Sequence, residues 1–78
     1  MDKRRLNEKK FCNWIKLEDG GRKYWMDVIG RYGWKAVYIK IVDDEENTLK
    51  FFQEIYNMNN ELVEVHNKYP IDEGHKKL

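Results

Sequence analysis

The segment Thr48-Leu49-Lys50-Phe51-Phe52-Gln53-Glu54-Ile55-Tyr56-Asn57-Met58-Asn59-Asn60-Glu61-Leu62-Val63-Glu64-Val65-His66 admits two periods, and the choice between them decides the fold. On a helical period Phe51, Ile55, Met58 and Leu62 fall on one stripe, with Asn47 or Asp43 placed to cap it. On a strand period Leu49, Phe51 and Ile55 share one side, while Phe52, Glu54 and Tyr56 share the other. The pair Asn59-Asn60 favours the second reading. Asparagine enters the left-handed backbone region more readily than most residues, which suits a hairpin turn and makes an awkward helix interior. Directly after the pair the alternation restarts, with Val63 and Val65 in phase. The segment reads as a β-hairpin, Thr48–Tyr56 followed by Leu62–His66.

The same period runs upstream. Trp34 to Val42 is the best strand in the chain: Val37, Ile39 and Ile41 point one way, and Trp34, Ala36, Tyr38 and Lys40 the other. Its β-branched and aromatic content suits a pleated surface. Arg22–Val28 alternates likewise, and Phe11–Leu17 does so less regularly. Glu18-Asp19-Gly20-Gly21 joins these two as a hairpin turn, because Asp-Gly tolerates positive φ. Gly30-Arg31-Tyr32-Gly33 forms the next turn, and the acidic block Asp43-Asp44-Glu45-Glu46 with Asn47 reads as a solvated loop. Short connections between sequential strands imply an antiparallel meander. The expected fold is therefore all-β with a minor helical part: one five-stranded sheet, strongly curved or a partial barrel. At 78 residues there is room for a single domain, 1–78, comprising a basic arm or short helix over 1–11, the meander over 12–69 and a tail over 70–78.

A sheet this small cannot bury both faces. Phasing the strands together collects Ile15, Met26, Ile39 and Phe51 on an aliphatic side. Trp14, Trp25, Trp34, Tyr38 and Tyr56 fall on an aromatic side interleaved with lysines. The aromatic side is expected either to pack under the N-terminal arm, with its lysines reaching out to water, or to bind a partner. That partner could be another protein or a second copy of the chain, since Trp and Tyr are enriched at interfaces, and a small cytoplasmic interaction module working through this aromatic face is the first functional expectation, ahead of a ribonuclease. The partner could also be RNA, with bases stacked on the rings.

Bulk composition narrows the class. Lys and Arg number 15 against 14 Asp and Glu, a net charge of +1, so charge alone selects neither nucleic acid nor membrane. No apolar run approaches the roughly 18 residues of a membrane span, and the basic start lacks the apolar segment of a signal peptide. The single Cys12 excludes an internal disulfide and fits a reducing compartment, so a cytoplasmic location is expected. As a small apolar side chain, Cys12 is expected in the core.

Both histidines and the sole proline lie near the end, in His66-Asn67-Lys68-Tyr69-Pro70-Ile71-Asp72-Glu73-Gly74-His75. Gly74 allows the chain to turn so that His75 returns toward His66. Metal-independent RNA cleavage needs one group to take the 2′-hydroxyl proton, a second to protonate the leaving oxygen, and a cation for the phosphate. His66, His75 and Lys68 match those roles by type, with Arg31 as a further phosphate contact. Two histidines and a distant Cys12 match no standard zinc spacing, so no metal site is expected. Gly30 and Gly33 form no phosphate-cradling loop, and no motif calls for a small-molecule cofactor.

The stretch Phe51–Tyr56, the turn, Leu62–His66 and the ending Gly74-His75-Lys76-Lys77 resemble a small group of uncharacterised prokaryotic proteins. They are also loosely similar to the TumE-like toxins of type II toxin–antitoxin modules, over the last third of the chain. That family ends in a β-hairpin followed by a His-rich tail, and the resemblance implies action on RNA through His66 and His75. This chain has Glu64-Val65-His66-Asn67-Lys68-Tyr69-Pro70 where the family carries an acidic-Asn-Ala-Pro-His run, and lysines follow His75.

Overall fold

A computed structural model describes residues 2–78. Met1, part of the expected arm, lies outside the described residues. Helix α1 (Lys3–Lys10) leads into six strands: β1 (Asn13–Lys16), β2 (Arg22–Ile29), β3 (Lys35–Val42), β4 (Thr48–Tyr56), β5 (Leu62–Tyr69) and β6 (Gly74–Lys77). They form one open antiparallel sheet in sequence order, so the meander topology holds and the sheet does not close. The region 48–66 is a β-hairpin, with Asn60 at φ 65° in its turn. The expected strand count was one short. The stretch taken as a tail returns and pairs with β5, because Gly74 adopts φ 72°, a region open to glycine at no steric cost.

Eight residues are too few to hold a helix in water, so α1 depends on its ends and its dock. The Asp2 side chain accepts from Arg5 N at 2.8 Å, and Phe11 N donates to Asn7 O at 2.8 Å. Phe11 is 1% exposed and packs with Tyr24 and Val42, against which Met26, Tyr38 and Phe51 also lie. Leu6, the other apolar position of the arm, is exposed.

The acidic block is more than a solvated loop. Its turn is closed by Asp43 N to Asn47 O at 3.0 Å, and Glu46 sits at φ 65° with its side chain turned inward, 6% exposed. Glu46 accepts from Tyr24 Oη at 2.8 Å, Asn7 Nδ2 at 3.1 Å and Arg4 Nε at 3.2 Å, while Arg22 Nε stands 3.9 Å away. Burial works to raise its pKa, but the bonds from Asn7, Tyr24 and Arg4 outweigh that and hold it below the usual glutamate value. Tyr24 moves the other way, raised by burial and then by Glu46. This polar clamp ties α1 to the sheet.

The register redraws the two faces. Tyr24 lies opposite Lys40, and Lys40 opposite Phe51; Trp25 lies opposite Ile39, and Ile39 opposite Phe52. One face thus carries Trp14, Tyr24, Tyr38, Lys40 and Phe51 beneath α1, and the other carries Trp25, Ile39, Phe52 and Tyr56. The tryptophans do not share a face. Alternation fixes phase within a strand, whereas the residue count of each turn and the bulges at Ile41/Val42, Phe51/Phe52 and Ile55/Tyr56 fix it between strands. Cys12, expected in the core, is exposed between α1 and β1.

Candidate active site

The Tyr69–Pro70 peptide is cis, and the Pro70–Glu73 turn reverses the chain into β6. Side chains pin this turn. Asp72 Oδ1 accepts from Gly74 N at 3.0 Å, Asn67 O accepts from Glu73 N at 2.9 Å, and Asn67 Nδ2 donates to Glu73 Oε1 at 2.9 Å. The resulting register places His66 opposite His75, with ring centroids 4.4 Å apart and planes inclined by 56°. Residues nine apart in sequence become a cross-strand pair, whose side chains share one face and touch.

The two rings have different surroundings. His66 is 15% exposed, and its Nε2 lies 2.6 Å from Asp72 Oδ1, while its Nδ1 is buried with no hydrogen-bond partner among the described residues. His75 is exposed. The bond to His66, together with that from Gly74 N, holds the Asp72 carboxyl below its ordinary value. Opposite His66 on β4 stands Gln53, 8% exposed, whose Nε2 donates to Tyr38 Oη at 3.1 Å.

Lys68 joins the group through a bulge. Phe51 pairs with Tyr69 and Phe52 with Asn67, so Lys68 is the extra residue. Its Nζ lies 5.2 Å from the Tyr38 ring centroid and 5.8 Å from that of Phe51. On the far side of Phe51 opens a cleft of about 450 Å³ bordered by Lys3, Lys10, Lys40, Phe51 and Tyr69. Lys10 Nζ stands 5.8 Å from the same Phe51 ring. Burial, then the nearby charge of Lys10, lowers the pKa of Lys40. Among the described residues Lys10, Lys40 and Lys68 form no ion pair. A run of lysines thus extends from α1 toward the histidines along one face, with Lys40 Nζ donating to Asn7 Oδ1 at 2.9 Å.

Of the residues singled out in the sequence, the fold gathers His66, His75, Lys68 and Tyr38. Trp14 is on this face but at the β1 edge, its ring 3.7 Å from the Arg22 guanidinium carbon. Trp34 precedes β3 and borders a shallow cavity with Glu64 and Lys77. Trp25 and Tyr56 are on the opposite face, where Tyr56 Oη donates to Glu54 Oε1 at 3.1 Å. Arg31 lies in the short 3-10 turn between β2 and β3, separated from the histidine strands by β4. Sequence reasoning missed Asp72, Gln53 and the lysine cleft. Asp72 carried a signal, since an Asp two residues before a Gly commonly closes a turn onto the glycine N–H.

No group of three or more His, Cys, Asp or Glu side chains is placed to hold a metal ion among the described residues. No helix there is long and apolar enough to cross a membrane. No protein-family model matches the chain, and neither a curated protein nor a solved structure matches it.

Proposed function

We propose that the protein cleaves RNA by transfer of the phosphodiester to the neighbouring 2′-hydroxyl, without a metal ion. The observation that carries this reading is the contact between His66 and His75, two imidazoles at 4.4 Å on one sheet face. Histidine can both take and give a proton near neutral pH, and a pair of them supplies the base and the acid that this transfer requires. The exposed His75 meets the 2′-hydroxyl as base. His66 serves as the acid: with the ring protonated, its Nε2–H leaves the hydrogen bond to Asp72 Oδ1, turns to the leaving 5′ oxygen and is transferred there as the P–O bond breaks. Asp72 acts through His66 by fixing the ring's orientation. Lys68 faces the phosphate, and the cleft of Lys10 and Lys40 receives the next one, with the half-exposed Tyr69 at its border offering a base-stacking surface. The resemblance of the last third of the chain to TumE-like toxins points the same way, and a cytoplasmic setting would give such an activity its substrate.

The test is a fluorescent DNA oligonucleotide carrying a single ribonucleotide, incubated with the protein in excess EDTA. The expected product ends in a 2′,3′-cyclic phosphate. Blocking that one 2′-hydroxyl abolishes cleavage, and His66→Ala or His75→Ala each lowers the rate by roughly 10²-fold or more. Cleavage that survives the loss of both histidines, or a folded protein that leaves every RNA intact, overturns the reading.

A further inference from the structure

The face away from α1 has an internal symmetry that no single chain uses. Its middle row is Trp25, Ile39 and Phe52, side by side on β2, β3 and β4. Two residues toward the β1–β2 turn lies the row Lys23, Ile41 and Lys50; two residues the other way lies Asp27, Val37 and Glu54. Each strand therefore repeats one pattern about its centre. β2 and β4 carry basic, aromatic and acidic residues in that order, and β3 carries three β-branched residues. Among the described residues these four charges make no ion pair. Lys23 and Lys50 instead lean over their own aromatic neighbours, with Nζ 5.7 Å from the Trp25 ring and 5.0 Å from that of Phe52. Glu54 uses one oxygen on Tyr56, and Lys35, beyond the acidic row, lies over the Tyr56 ring at 5.3 Å.

We infer that this face binds a second copy of the chain. A two-fold axis along the middle row reverses the strand direction and leaves the strand order unchanged. It sets β2 over β2, β3 over β3 and β4 over β4. Lys23 of one copy then faces Asp27 of the other, Lys50 faces Glu54, and Ile41 faces Val37, each contact made twice as an isologous interface requires. Facing sheets pack about 10 Å apart, a gap that a lysine and a carboxylate bridge from opposite sides. Trp25 and Phe52, partly exposed on either side of the already buried Ile39, supply the apolar centre, and the charged rows the polar rim. Edge-to-edge pairing is the poorer alternative. β1 and β6 have four residues each, and Lys16, Lys76 and Lys77 guard them.

The charges provide the test, read by sedimentation equilibrium and light scattering. The wild type is expected as a dimer. Lys23→Glu with Lys50→Glu makes both rows acidic, Asp27→Lys with Glu54→Lys makes both basic, and each variant alone is expected to weaken association at least about 100-fold. Mixed one to one, the two should recover a heterodimer. The chain with all four substitutions regains opposite rows and should dimerise by itself, which separates a broken interface from a broken fold. A monomeric wild type, a dimer that tolerates either double substitution, or a mixture that stays monomeric overturns the inference.

Discussion

Replacing Glu46 should undock the N-terminal helix. Glu46 is buried and accepts hydrogen bonds from Tyr24, Asn7 and Arg4. Arg4 is half-exposed, so its pair is worth little, about 0–1 kcal/mol. Tyr24 and Asn7 are buried, and Glu46→Ala leaves both donors without their acceptor. Removing one partner of such a buried charged network costs about 3–5 kcal/mol. A chain of this length has roughly 4–12 kcal/mol in total. Glu46→Gln keeps the shape and one acceptor, and should cost about 1–3 kcal/mol. The pH dependence has a definite sign. The folded pKa of Glu46 lies below that of an unfolded glutamate, about 4.3. Its contribution is therefore complete above that value and is lost as pH falls through the folded pKa. Urea unfolding followed by tryptophan fluorescence should show a gap between wild type and Glu46→Gln at pH 7 that closes in acid. Trypsin should cut after Lys9 and Lys10 faster in the variant at pH 7. A gap that stays constant down to pH 3, or a Glu46→Ala protein within about 0.5 kcal/mol of wild type, would refute the clamp.

Gly21→Ala should be strongly destabilising, by about 3 kcal/mol or more by analogy with the severest overpacking, because the added Cβ would lie 2.2 Å from the backbone oxygen of Val42; urea melts measure this. Asp72→Asn should leave the far-UV spectrum unchanged yet slow RNA cleavage about tenfold and alter its pH–rate profile, since Asp72 reaches the substrate only through His66. Lys40→Ala or Lys10→Ala, each measured in the cleavage-dead His75→Ala background, should weaken binding of single-stranded RNA and reduce the dependence of log affinity on log salt by about 0.7 per lost phosphate contact. The charge-reversed monomer Lys23→Glu with Lys50→Glu should still cleave RNA, because those rows lie on the face away from the histidines, but more slowly per chain than the wild-type dimer, since it lacks the support that reaches His66 through β4; steady-state rates measured per chain check this.

Period-2 alternation located five strands and four turns, because it is a property of each strand alone. The β-hairpin over 48–66 was legible for the same reason, helped by an asparagine that does take positive φ. The relation between strands was not legible. Whether Tyr24 sits beside Ile39 or Lys40 depends on turn length and on bulges, and these leave little trace in composition. Glu46 was hidden among four similar acids; only a fold that turns its side chain inward distinguishes it from Asp44 and Glu45. The histidines are the converse case. Their spacing says nothing by itself, but Pro70 and Gly74 between them are residues that reverse a chain, and reversal brings His75 back to His66.

Among the described residues the buried apolar set is very small: Phe11, Tyr24, Ile39 and Val42. Cohesion therefore rests heavily on polar contacts, which are local. At one end Glu46 joins α1 to β2 through Tyr24 and Asn7. At the other, Asp72, Asn67 and Glu73 join β5 to β6 with no large buried side chain beside them. The histidine pair thus stands on the part of the sheet that the hydrophobic core supports least. Its geometry is set by side-chain hydrogen bonds that each contribute modestly in water. A second copy seated over Trp25, Ile39 and Phe52 would stiffen β2 to β4 from behind. Because Gln53 on β4 lies opposite His66, that stiffening would reach the site through one pair of adjacent strands. Dimer formation of that kind would couple to the order of the β5–β6 hairpin in the same direction, and hydrogen exchange at Asn67 and His75 should then slow as the protein concentration rises.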